Sequence, residues 1–248
     1  MVLWLHDQNN VLGRIRAYFA VVACAACHPT GGEPTDGDMT GSAGLVVTWS
    51  ADPQIPGDLG PLGDPSNTTT VSVSRAQFRI DTLRIIGDAG PGDPRTTANN
   101  FLALWQHDEN PSPISFMDAP IGLYSKVSLA IDGHLVNDSV EIDGTVQIAG
   151  TNHPFRIRDR NILPIALDTD QMLAPGDSIK IGLTVDLRKG FVELGPSEWA
   201  NAKTDNGTLV LETVSGDINV LATLAKFEVG ILGSFGLKDQ SSHRTTGE

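Results

Sequence analysis

The sequence predicts an all-β fold: a β-sandwich of mainly antiparallel strands with one C-terminal helix. Three observations carry this expectation. Several segments alternate apolar and polar residues with a period of two, the signature of strands with one wet face. Short turn signals separate those segments, which favours a sandwich over an α/β fold. Near the C-terminus the period changes, and Val220, Leu224, Phe227 and Ile231 recur at helical spacing.

In chain order, Leu45, Val47 and Trp49 alternate with Val46 and Thr48, giving a first strand with Trp49 in the core. Residues 51–70 are crowded with proline and glycine and read as a long loop. Within 76–87 the apolar set shifts from Phe78 and Ile80 to Leu83 and Ile85, which predicts a bulge mid-strand. Residues 88–100 read as a second long loop. Phe101–Gln106 and Ile114–Met117 are short strands around a polar turn.

The clearest alternation runs through LYSKVSLAID, VEIDGTVQI and SIKIGLTVDL. There Val127, Leu129 and Ile131, then Val140, Ile142, Val146 and Ile148, then Ile179, Ile181, Leu183 and Val185 share single faces. Asp132-Gly133, Ala149-Gly150 and Pro175-Gly176-Asp177 supply the turns, and Asn206-Gly207 a hairpin before Thr208–Glu212. One helix is expected near 217–229, because Gly230 and Gly233 weaken the helical pattern beyond it.

The sandwich is expected over 43–237, and 238–248 is expected to be a disordered tail. With 248 residues the chain can bury a sizeable core. The net charge of −13 opposes nucleic-acid phosphates, so no nucleic-acid partner is expected. Both cysteines lie near the N-terminus, three residues apart, so the sandwich must be held by its core rather than by a disulfide.

That N-terminal stretch admits two chemistries. Arg14 and Arg16 precede a short apolar run, Ala17–Ala26, as in a secretory signal peptide over residues 1–23. Asp7 is out of place there, which suggests a true start near Val11 or Leu12. Val21-Val22-Ala23-Cys24 fits cleavage before a cysteine that is then lipidated, with Cys27 as the alternative site. The residues from 24 to 42 would then be the modified cysteine and a tether rich in Gly, Pro, Asp and Thr. Neither cysteine is followed by aspartate, so outer-membrane attachment, facing the periplasm or the cell surface, is expected over inner-membrane retention. The competing reading is Cys24-Ala25-Ala26-Cys27-His28, a C-x-x-C-H string that would bind haem c through both thiols and His28. Met39, Met117 and Met172 are the candidate distal ligands. No helices come next in the chain to wrap a haem, which favours the lipid anchor.

Elsewhere the chemistry is sparse. His107, Asp108 and Glu109 form a compact cluster, and Asp132, Asp138 and Asp143 lie close in sequence; oxygen ligands of this kind suit calcium. No twelve-residue calcium loop is present, and the six histidines lack transition-metal spacing. Trp105, Trp199 and Tyr124 are candidate stacking platforms for a glycan. There is no G-x-S-x-G elbow, H-E-x-x-H helix or phosphate-binding glycine loop, so no enzyme is expected. Ligand contacts are expected from the loops at 51–70 and 88–100.

The segments ending in LRIIGD, then APIGLYSKVSLAID, IDGTVQIAGTNHPFRI, APGDSIKIGLTVDL and INVLATLAKF resemble, over about residues 76–236, uncharacterised bacterial lipoproteins common in myxobacteria and their relatives. The resemblance implies a lipid-anchored β-sandwich and brings no catalytic residues. The expected role is therefore binding or structural, without catalysis or cofactor. The expected partners are a membrane, through the anchor, and an envelope protein or glycan. The alternatives are a haem electron carrier and a calcium- or carbohydrate-binding adhesion module.

Overall fold

The computed structural model describes residues 44–63, 69–88, 92–134, 136–238 and 242–243. In chain order the first strands are β1 (Gly44–Ala51), β2 (Gly57–Leu62), β3 (Thr69–Gly87), β4 (Thr97–Trp105) and β5 (Ile114–Phe116). Then come β6 (Gly122–Ile131), β7 (Val140–Ile148), β8 (Thr151–Asp159), β9 (Leu163–Leu173) and β10 (Ser178–Val185). Two one-turn helices are next, α1 (Arg188–Phe191) and α2 (Pro196–Trp199). The chain continues through β11 (Lys203–Asp205), β12 (Thr208–Glu212), α3 (Ile218–Leu232), β13 (Phe235–Lys238) and β14 (Ser242–His243).

The strands form an all-β sandwich of two sheets. One runs β13-β10-β1-β5, with β14 also on β10; the other runs β11-β12-β8-β7-β3-β6-β9, with β2 and β4 also on β3. Most pairs are antiparallel, as the turn signals imply, but β1 lies parallel to β10 and β12 parallel to β8. Those partners are far apart in sequence, so no turn signal could announce them. Aromatic side chains bridge the sheets. Trp49 of β1 meets Phe101 and Trp105 of β4 edge-on, with ring centroids 6.0 and 6.4 Å away, and Phe78 of β3 meets Phe235 of β13 at 5.3 Å. Fully burying a side chain of this size contributes about 1.5–3 kcal/mol.

The spine is β3. Its first half pairs with β2 and β7 and its second with β4 and β6. Val71 and Val73 face the core, then Ala76, Phe78 and Ile80, then Leu83 and Ile85. The face changes twice because β3 carries an extra residue at two places, between Val73 and Arg75 against β7 and between Ile80 and Thr82 against β6. The second is the bulge that the apolar shift predicts. Each bulge adds one unpaired residue and so turns the side chains beyond it over.

Four expectations need correction. The supposed loop 51–70 contains β2, and 88–100 contains the start of β4, so the structureless stretches are shorter than the proline and glycine content suggests. Strand β9 has no counterpart among the expected elements: its inward face includes Thr169 and Gln171 and its outward face Pro164, Ala166 and Met172, so residue type hides an alternation that burial keeps at this sheet edge. The tail does not begin at 238, because Lys238 belongs to β13 and Ser242–His243 pair with β10. The helix does not stop at 229. It runs to Leu232, because Gly230 lets α3 press against α1: a Cβ there would lie 2.1 Å from the Lys189 carbonyl oxygen.

On the other side of that contact, Phe227 and Ile231 of α3 pack with Phe191 of α1, Trp199 of α2 and Phe155 of β8. Gly144 of β7 stands opposite Phe155, and a Cβ there would meet its ring at 2.8 Å. Asp217 caps α3, its side chain accepting from the Asn219 amide at 2.8 Å. No described helix is long and apolar enough to cross a membrane.

Candidate functional site

Strand β8 places Phe155, Ile157 and Asp159 on its buried face and Arg156 and Arg158 on its outer one. The inward row therefore ends on a carboxylate, and Asp159 is 0 % exposed. Its Oδ1 accepts from the Thr213 hydroxyl at 2.8 Å and from the Asn161 amide at 3.0 Å. Thr213 in turn accepts from the Arg160 amide at 3.0 Å. The Asp159 carbonyl accepts from both the amide and the hydroxyl of Ser139. Its Oδ2 is shut away from solvent without a hydrogen-bond partner. Burial pushes the Asp159 carboxyl above the usual carboxylate range, and the bonds from Asn161 and Thr213 only partly oppose this.

A second carboxyl lies beside it. Asn161 donates from its side chain to Glu228 Oε1 at 2.8 Å, tying the end of β8 to α3. Glu228 is also raised, first by burial and then by the nearby Asp159 charge. On the outer side Arg160 Nε donates to Asp138 Oδ1 at 2.9 Å, and Arg158 Nε lies 3.8 Å from Asp138 Oδ2. Arg158, Arg160, Asp138, Glu212, Thr213 and Val214 line a cleft of about 30 Å³. That volume suits about one water, far below the several hundred Å³ of a small-molecule site. Thr213 spends its one proton on Asp159 and accepts from a main-chain amide. The cluster acts as a clasp joining β7, β8, the turn before α3, and α3 itself.

The residues singled out from sequence do not converge on this clasp. Cys24, Cys27 and His28 lie outside the described residues. His107, Asp108 and Glu109 sit on an exposed turn closed by a bridge between Gln106 and Glu109, and the His107 ring contacts Asp108. Asp132, Asp138 and Asp143 separate: Asp132 binds the His134 amide, Asp138 takes Arg160, and Asp143 takes Arg156 at 2.8 Å. Among the described residues no group of three His, Cys, Asp or Glu side chains is arranged to hold a metal ion.

The glycan platforms are overturned by burial. Trp105, Trp199 and Tyr124 are only 1, 1 and 2 % exposed, because each fills the core rather than a surface. The Tyr124 hydroxyl donates to the Pro120 carbonyl at 2.6 Å. Met117 and Met172 are exposed at the ends of β5 and β9. Asp159 is absent from the sequence-derived candidates, although extending the alternation Phe155, Ile157 by one step places it inside. Comparison with protein-family profiles, curated proteins and solved structures finds no match.

Proposed function

We propose that this chain is an exported cell-envelope protein, anchored through a lipid on Cys24, with a binding or structural role and no catalysis. The observation that carries the reading is the order Arg14, Arg16, a short apolar run, then Val21-Val22-Ala23-Cys24 and a segment rich in Gly, Pro, Asp and Thr. The polar cluster at Asp159 holds elements together, and its cleft is water-sized. Acyl chains would hold the domain at a membrane, and the fifteen or so residues after His28 would give it a reach of roughly 20 Å. Outer-membrane placement rests on Ala25 after the modified cysteine.

Mass spectrometry of the mature N-terminus, after expression in a bacterium that processes lipoproteins, tests the reading. The expected product starts at Cys24 and carries a diacyl or triacyl mass. An unmodified Cys24 with Val22 and Ala23 still attached would sink it. A haem mass on Cys24 and Cys27, with a sharp Soret band, would replace it by the electron-carrier alternative.

A further inference from the structure

Helix α3 has two apolar faces. Val220, Thr223, Leu224, Phe227 and Ile231 form the buried one. At about 100° per residue, Ile218, Ala222, Ala225, Val229 and Leu232 form a second stripe on the opposite side. All five are exposed, Ile218 at 78 % and Val229 at 72 %. Their spacing alternates four and three residues, the pattern of a seam between two helices. A helix apolar on both faces is expected to be covered on both.

We infer that the outer stripe of α3 is a two-fold contact with a second copy of this chain, the two helices running antiparallel about Ala225. The stripe is self-complementary in that arrangement. Ala225 meets its own copy at the axis, Ala222 lies opposite Val229, and Ile218 lies opposite Leu232, so small residues sit where the helices are closest. The stripe holds no charged residue, and flanking Lys226 is already paired with Glu198 at 2.7 Å, so like charges do not meet at the axis, while the −13 on each copy opposes association and adds to its weakness. A lipid surface would call for basic and aromatic residues along such a helix, and the stripe offers neither. Five side chains bury on the order of 300–400 Å² per partner, less than the roughly 800 Å² of a standard interface, so the association is weak and concentration-dependent.

The test is sedimentation velocity on the full chain in reductant, from roughly 1 to 300 μM, the range that a small interface reaches. The wild type is expected to pass from monomer to dimer. Ala225→Glu and Ala225→Lys are each expected to weaken the dimer by at least about tenfold, since like charges meet at the axis, with thermal melts unchanged. An equimolar mixture of the two variants is expected to dimerise again. A wild type that stays monomeric throughout overturns the inference. So does a dimer that tolerates both variants, or a mixture that stays monomeric. Binding of the wild type to phosphatidylethanolamine–phosphatidylglycerol vesicles that Ala225→Glu abolishes would assign the stripe to lipid instead, and overturn it as well.

Discussion

Strand β8 and its neighbour β7 carry acids on both faces, and the two faces treat them differently. On the outer face Arg75 of β3 donates to Glu141 at 3.1 Å and approaches Asp143 at 3.4 Å, while Arg156 donates to Asp143 at 2.8 Å. Gln77 joins this ladder, bonding both Arg75 and Glu141. Every charged member keeps some access to water. On the inner face Asp159 is bonded by neutral donors, an amide and a hydroxyl, and keeps none. The outer acids are held by opposite charge in a high dielectric, where each pair contributes little. The inner acid is held by hydrogen bonds from neutral donors, and its removal takes the acceptor from both.

The largest effect comes from that difference. Asp159→Ala takes the acceptor from the Thr213 hydroxyl and the Asn161 amide, two part-buried hydrogen bonds. The expected loss is about 2 kcal/mol, roughly 1 kcal/mol for each of the two hydrogen bonds lost. Urea unfolding monitored by circular dichroism checks it; a midpoint within error of wild type would mean that water reaches the site.

Asp159→Asn sharpens the comparison by keeping an acceptor for Thr213 while removing the ionisable group. It is expected to cost less than the alanine variant. Because the folded-state pKa of Asp159 is raised, its favourable contribution is fully present below the unfolded carboxylate value. That contribution is lost as pH rises through the folded one. Wild type should therefore weaken relative to Asp159→Asn as pH is raised out of the acidic range. Asp93 and Glu198 work the other way. The side-chain and backbone bonds from Arg95 lower Asp93, and in Glu198 burial is outweighed by bonds from Lys226 and Ser197, so both lose stabilisation on acidification. The difference between the two proteins cancels those contributions. A melting-temperature difference independent of pH would refute the role of burial.

Much of the fold is legible because strand alternation is a direct record of burial. The bulge in β3 shows in the switch from Ile80 to Leu83, and the Asn206-Gly207 hairpin shows in its residues, which take φ of +49° and +82°. The slip near Ser74 escapes because the strand expected from sequence begins at residue 76, past Val71 and Val73, whose alternation with Ser72 and Ser74 belongs to the same strand. The clasp is illegible for another reason. Thr213 lies 54 positions from Asp159, and only the parallel pairing of β12 on β8 brings them together. The tryptophans mislead because a polar neighbourhood in sequence, as around Trp199, does not reveal that a one-turn helix points the ring inward against Phe155.

The smallest effect belongs to the outer ladder. Arg75→Ala removes the contacts to Glu141 and Asp143 but leaves Arg156 on Asp143, so one cation still faces the acids. Its side chain is 28 % exposed, and the acids it leaves can take water. The expected cost is below about 1 kcal/mol at low salt. It should shrink further near 1 M salt, where screening acts within about 3 Å. The Asp159→Ala loss should shrink less, since its donors are an amide and a hydroxyl that carry no charge. Urea midpoints of both variants at low and high salt measure the contrast. Equal salt dependence would place the two acids in the same environment, and the distinction between the faces of β8 would fall.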